Sequence, residues 1–174
     1  MVGKIMGLHI RHTDKKAPSM PKMAVERATI QPEGLLGDFN QYRHKKVKDS
    51  PDMAVMLWPD EERAQLNLEG WPIQPGDIGE NILTSGLPSN IWQDGTRLRV
   101  GEAVELELRE RCEPCSNLAK LGYVGAQHKT AFIKCMVGRR GYYARVLSGG
   151  HVQVGDTIEV LSVPESKGLV SSET

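Results

Sequence analysis

Arg97-Leu98-Arg99-Val100-Gly101-Glu102-Ala103-Val104-Glu105-Leu106-Glu107-Leu108-Arg109 is the stretch that decides the fold class. Val104, Leu106 and Leu108 alternate with Glu105, Glu107 and Arg109. A period of two puts one strand face on a core and the other in water. Gly101-Glu102 separates this run from Leu98 and Val100, so the segment reads as strand, turn, strand. The design recurs near the C-terminus, where Val154-Gly155-Asp156-Thr157-Ile158-Glu159-Val160 parallels Val100-Gly101-Glu102-Ala103-Val104-Glu105-Leu106. Two copies are too few for a solenoid and mark a repeated turn chemistry instead.

Working outward, Val2 to Ile10 reads as an opening strand, Met23 to Ile30 as a second and Asp52 to Trp58 as a buried third. Pro59 suits the first turn of a helix, and Pro59 to Leu68 carries Glu61, Glu62 and Arg63 near its start. This is the one clear helical candidate of the first half. The 18 Gly and 10 Pro are spread along the chain and imply many turns and no long helix. Many short strands with one or two short helices predict a mainly β protein built as a barrel or closed sheet. A single domain over residues 1–164 is expected, followed by a Ser-, Glu- and Gly-rich tail, 165–174, that frays.

The chain has 174 residues, enough to bury a core without disulfide staples. Lys and Arg number 22 and so do Asp and Glu, which gives no net charge. That balance excludes a nucleic-acid binder driven by a strong basic field, while leaving room for a local basic pocket. No apolar run approaches the roughly 18 residues of a membrane helix. Met1-Val2-Gly3-Lys4-Ile5 lacks the pattern of a secretory signal. Three cysteines, Cys112, Cys115 and Cys135, point to free thiols in a reducing compartment, so a cytoplasmic protein is expected.

Chemistry concentrates in four segments. In Arg111-Cys112-Glu113-Pro114-Cys115-Ser116-Asn117-Leu118, Pro114 ends the strand and sets Cys115 at the start of a helical turn through Leu121. A cysteine at a helix N-terminus beside Arg111 ionises more readily, and thiolate binds soft metals or attacks electrophiles. Cysteines are more often small buried apolar residues. Cys135 reads that way, whereas the setting of Cys115 favours function. Cys112 and Cys115 also form a C-x-x-C pair. With His128 and Cys135 they offer four zinc ligands; alone they offer a thiol–disulfide centre, although no βαβ context surrounds them. The second segment, Gln74 to Leu87, is a Gly-rich turn that presents Asn81, Thr84 and Ser85 to a polar ligand or is simply a turn. The third, Gly34 to Lys46, ends in Arg43-His44-Lys45-Lys46 and is a solvated loop or, folded over a pocket, one whose Arg43 and His44 meet a phosphate. The fourth, Gly138 to Leu147, places Arg139 and Arg140 before a strand, as an anion site or a basic turn.

Taken in order, these segments resemble the MOSC family, named for the C-terminal domain of molybdenum cofactor sulfurases. The resemblance runs through Gly34-Leu35-Leu36-Gly37-Asp38, Ala54-Val55-Met56-Leu57 and Pro75-Gly76-Asp77-Ile78-Gly79-Glu80-Asn81-Ile82. It continues through Arg97-Leu98-Arg99-Val100-Gly101, Pro114-Cys115-x-x-Leu118, Gly141-Tyr142-Tyr143-Ala144-Arg145-Val146-Leu147 and Val154-Gly155-Asp156. It implies a MOSC-type β-barrel with a few short helices and a molybdopterin-type molybdenum cofactor. Cys115 matches the family cysteine that ligates the metal or carries sulfur. Asn81, Thr84, Ser85 and Asn117 are the implied pterin contacts. Arg43, His44, Arg97, Arg99, Arg139 and Arg140 are the candidates for its phosphate. The implied activity is reduction of an N-hydroxylated small molecule with electrons from a separate redox protein. The alternative is a persulfide carrier loaded by a cysteine desulfurase. Two departures stand out: Arg43-His44-Lys45-Lys46-Val47 replaces the His-Gly-Gly stretch of many standalone relatives, and Cys112 is an additional thiol, leaving room for a persulfide or a disulfide.

Overall fold

The computed structural model describes residues 2–12, 14 and 16–165. The tail expected to fray lies outside them from residue 166 onward. The strands are β1 (Val2–Ile10), β2 (Met23–Val25), β3 (Arg27–Gln31), β4 (Gly34–Leu35), β5 (Val55–Pro59), β6 (Ile82–Ser85), β7 (Arg97–Val100), β8 (Val104–Arg111), β9 (Tyr142–Ser148), β10 (Gly150–Gln153) and β11 (Thr157–Ser162). The helices are α1 (Gln41–Lys46), α2 (Asp60–Leu68) and α3 (Gly125–Met136).

Seven strands close a barrel in the order β1-β11-β7-β8-β9-β5-β6 and back to β1. The mainly β architecture expected from the alternating runs is therefore the observed one. β1 is long because it serves three partners in turn: Val2 faces Glu159 of β11, Ile5 faces Thr84 of β6, and Leu8 faces Val25 of β2. The two related sequence runs meet, since β11 pairs antiparallel with β7 at Ile158 and Val100. A small second sheet, β10-β3-β4, stands beside the barrel.

Two cores share the barrel wall. Val55, Leu57, Ile82, Leu106, Leu108 and Ala144 point into the barrel. Met56, Trp58 and Leu83 point outward into a second cluster with Leu66 of α2 and Phe132 and Met136 of α3. Successive strand residues face opposite sides, so a strand buried on both faces must be apolar throughout. That is why β5 reads as one unbroken apolar run. Trp58 and Phe132 are fully buried, each contributing about 2 kcal/mol or more relative to exposure.

Several elements differ from expectation. Met23 to Ile30 is not one strand: the chain breaks at Glu26, sending β2 to the barrel edge and β3 to the small sheet. The helix expected from Pro59 begins at Asp60, with Pro59 as its cap and Asp60, Glu61 and Glu62 on the positive end of its dipole. α2 also joins the parallel strands β5 and β6, a βαβ crossover that the sequence reading lacked. The largest omission is α3, a 12-residue helix with no side-chain cap and Gly125 at its start. Only Phe132 and Met136 of α3 are buried, which is too thin a stripe to stand out.

Candidate functional site

A cleft of about 630 Å³ opens on the outer side of β5, β8 and β9. Met56 of β5 and Tyr143 of β9 line it, both on the barrel's outward face. β8 ends at Arg111, and Cys112 N–H donates to Gly141 O (2.9 Å), the last tie before the chain turns out through Pro114. Cys115 then caps a 3-10 turn over Ser116–Lys120 and lies half-buried on the cleft wall.

Its neighbour is Arg140. The guanidinium is buried, 6% exposed, and donates from Nη1 to Glu113 O (2.9 Å) and to Cys115 Sγ (3.4 Å), and from Nη2 to Ile78 O (2.9 Å). Burial opposes this charge, but the Cys112 and Cys115 sulfurs favour it, and the balance lies above the ordinary arginine value. Arg140 Nε is buried without a partner. Gly141 makes this placement possible: its φ is +86°, and a Cβ there would meet Leu57 O at 2.2 Å. Only glycine lets β9 start so close to β5. Arg111, the cation expected beside Cys115, also lines the cleft, but its guanidinium contacts Gly138 O (2.7 Å) and the Tyr142 ring and not the sulfur.

A second charged group lies deeper. Lys22 Nζ pairs with Asp38 Oδ2 (2.7 Å), which also accepts from Asn81 Nδ2 (2.8 Å). Burial pushes the Asp38 carboxyl up, but Lys22 and the hydrogen bonds from Asn81 and Arg11 bring it below its ordinary value. Gly76, at φ +89°, allows the chain to pass; a Cβ there would lie 2.5 Å from Lys22 O. The passing segment carries Met20 and Lys22 to the cleft.

The opposite rim is α1. None of its residues is buried, and Asn40 caps it. Tyr42, Lys45 and Lys46 face the cleft. Arg43 and His44 do not: residues three to four apart share a helix face, and these two fall on the other one. Arg43 donates to Ser50 O (2.8 Å), Asp49 O and Glu33 O and so ties α1 down, while His44 pairs with Asp49 (3.0 Å).

Of the residues singled out from sequence, Cys115, Asn117 and Arg140 meet in the cleft. The rest serve the fold. Asn81 is buried, accepts from Met56 N (3.0 Å), donates both amide hydrogens to His9 O (3.2 Å) and Asp38, and is not among the residues lining the cleft. Thr84 is buried on β6 with its hydroxyl directed at Trp58 O (3.4 Å), and Ser85 pairs with Lys4 in the barrel wall. Arg97 and Arg99 make cross-strand pairs with Glu107 (3.3 Å) and Glu105 (3.5 Å) on the outer barrel surface. Arg139 is held by Glu62 and Glu69 on the α2 side. The zinc reading fails on geometry. His128 packs edge-on against Trp71 and Cys135 contacts Glu69. Among the described residues no three His, Cys, Asp or Glu side chains gather to hold a metal. The sequence reading missed Met20, Lys22 and Met56 as cleft residues, whereas Tyr143 belongs to the fourth segment, Gly138 to Leu147. Lys45 and Lys46 were visible as part of the basic run, and helical periodicity through 41–46 was the signal that separates them from Arg43 and His44.

Comparison with known proteins agrees with this architecture. The MOSC domain model matches residues 44–159, and the chain belongs to the MOSC domain family. The chain is similar to a protein of Gibberella moniliformis named "Reductase", 32% identical over 96 residues, which is 55% of this chain and 16% of that protein. The YuaD protein from Bacillus subtilis has a similar structure, with TM-score 0.75, 22% identity and coverage of 91% of this chain and 94% of that one. YiiM from Geobacillus stearothermophilus gives TM-score 0.68 at 20% identity, covering 92% and 75%. At these identities the structural likeness speaks for the fold alone. Among the described residues no helix is long and apolar enough to cross a membrane.

Proposed function

We propose that the chain binds a molybdopterin-type molybdenum cofactor in the Cys115 cleft and takes part in reducing N-hydroxylated or related small molecules. The observation that carries this reading is the 3.4 Å contact between Arg140 Nη1 and Cys115 Sγ at the wall of a cleft of about 630 Å³. A thiolate is a good ligand for a soft, redox-active metal. A buried guanidinium lies against the sulfur and does not itself compete for the metal. The donor set and the space suit such a cofactor. Cys115 would ligate the metal. Lys45 and Lys46, which face the cleft without an ion pair among the described residues, would meet the phosphate in place of Arg43 and His44. Asn117 and the Lys22–Asp38 pair would border the pterin.

When bound, the cofactor supplies the two-electron chemistry, and the protein supplies binding, orientation and charge. Cys115 would hold the metal, Arg140 contacts the sulfur and ties the Glu113 wall to the Ile78 turn, and Tyr42 on α1 lines the opposite rim. A separate redox protein would deliver electrons. Tests begin with the protein isolated from a host that makes molybdenum cofactor, beside Cys115→Ser. Near-stoichiometric molybdenum in the parent, little in the variant and reduction of an N-hydroxylated amidine by the parent alone are expected. Equal molybdenum in both proteins refutes the role of Cys115.

A second reading is favoured by the same contact. A persulfide on Cys115 would be anionic, and Arg140 would stabilise it, making the chain a sulfur carrier supplied by a cysteine desulfurase. Mass spectrometry of the protein isolated under sulfur-replete growth should then find one extra sulfur on Cys115. An unmodified Cys115 counts against it.

A further inference from the structure

The cofactor reading uses one thiol of the C-x-x-C pair and leaves Cys112 idle. Cys112 is 1% exposed and free, with its sulfur 3.9 Å from Glu113 O. That carbonyl accepts from Arg140 Nη1 (2.9 Å), and the same Nη1 reaches Cys115 Sγ (3.4 Å). Both thiols therefore lie beside the same buried guanidinium, linked through Glu113 O. Cys112 also lies within hydrogen-bonding reach of Tyr143, a cleft-lining residue, so it sits just behind the cleft wall. Glu113 and Pro114, between the cysteines, belong to no helix or strand. The third cysteine, Cys135, stands apart on α3 against Glu69 and Arg139.

We propose that Cys112 is the resolving thiol of Cys115, and that the pair forms an intramolecular disulfide when Cys115 is attacked by a low-molecular-weight disulfide. Cys115 is accessible from the cleft and reacts first. Its thiolate attacks one sulfur of RS–SR, forming Cys115–S–S–R and releasing RS⁻. Cys112 then gives up its proton to the released RS⁻, and its sulfur attacks Cys115 Sγ. The Cys112–Cys115 bond forms, the Cys115–SR bond breaks, and the second RS⁻ leaves to take a proton from water. Two protein thiols are oxidised and one RS–SR is reduced to two RSH. Burial keeps Cys112 from reacting with the external disulfide itself while leaving it beside the adduct.

The consequence for the site rests on the cofactor reading: the oxidised pair has no thiolate to offer a metal. The chemistry itself does not depend on that reading. The test is exposure of the reduced, metal-free protein to glutathione disulfide, followed by peptide mapping by mass spectrometry. Expected is a Cys112–Cys115 disulfide in the parent, with neither thiol left free and no glutathione retained on Cys115. In both Cys112→Ser and Cys112→Ala the glutathione adduct on Cys115 persists; in Cys115→Ser neither adduct nor disulfide involves Cys112. A parent that stops at the Cys115 adduct, or pairs Cys112 with Cys135, overturns the proposal. Unfolding midpoints of the two Cys112 variants identify any that fails to fold. Molybdenum content of the reduced parent, measured separately, reports on the cofactor reading, so the two ideas fail independently.

Discussion

His9 and Glu80 carry opposite pH dependences, and replacing either one exposes the other. They are 1% and 0% exposed, with His9 Nδ1 3.8 Å from Glu80 Oε1. Burial, and after it the charge of Lys22, holds the His9 imidazole at about 4 against an ordinary 6.5. Burial lifts the Glu80 carboxyl from 4.5 to about 7, against the opposing hydrogen bond from Gly76 N–H. For His9 the folded value lies below the unfolded one, so its contribution is intact above about 6.5 and is lost as pH falls toward 4. For Glu80 the folded value lies above, so its contribution is intact below about 4.5 and is lost as pH rises toward 7. Fully expressed, each effect is worth about 3 kcal/mol. Between about pH 5 and about pH 8 each amounts to about 2 kcal/mol, and in the parent they nearly cancel. Relative to the parent profile, Glu80→Gln should gain about 2 kcal/mol across that window, and His9→Asn should lose about 2 kcal/mol. Urea unfolding at several pH values, followed by fluorescence of the buried Trp58, reads both slopes. Parallel profiles for parent and variants would refute the assignment of opposed buried charges.

Three further outcomes follow from single contacts. Asn81→Ala leaves Met56 N–H unpaired in the core and should cost about 2–4 kcal/mol of stability in the same urea assay. Gly76→Ala forces a side chain into a left-handed backbone 2.5 Å from Lys22 O and should cost at least about 2 kcal/mol. Arg43→Ala removes the ties that hold α1, so hydrogen exchange should quicken across residues 41–50 while the global midpoint moves by less than about 1 kcal/mol.

The barrel was legible because its strands declare themselves. Val104 to Arg109 alternates, and the two related runs meet where β11 pairs with β7. α3 was not legible because its partners are distant: Phe132 packs on Trp71 and Tyr123, contacts invisible to a local period. In the site, Cys115 was found from Pro114 and the end of β8, both local features. The phosphate candidates were chosen by residue type alone, and most arginines proved committed to carboxylates or carbonyls elsewhere. Asn81 looked like a ligand because it sits in a Gly-rich turn, yet the burial that makes it matter also spends its hydrogen bonds. Lys22 could not be found from sequence, since it reaches the cleft only because Gly76, more than fifty positions away, lets its backbone approach.

X-ray absorption at the molybdenum edge, on protein isolated with cofactor, tests the central claim most directly. A sulfur ligand beyond those of the pterin is expected in the parent, and in Cys115→Ser reconstituted with the same cofactor that ligand should be replaced by oxygen. A sulfur shell identical in parent and variant would place the metal away from Cys115 and contradict the reading of the cleft.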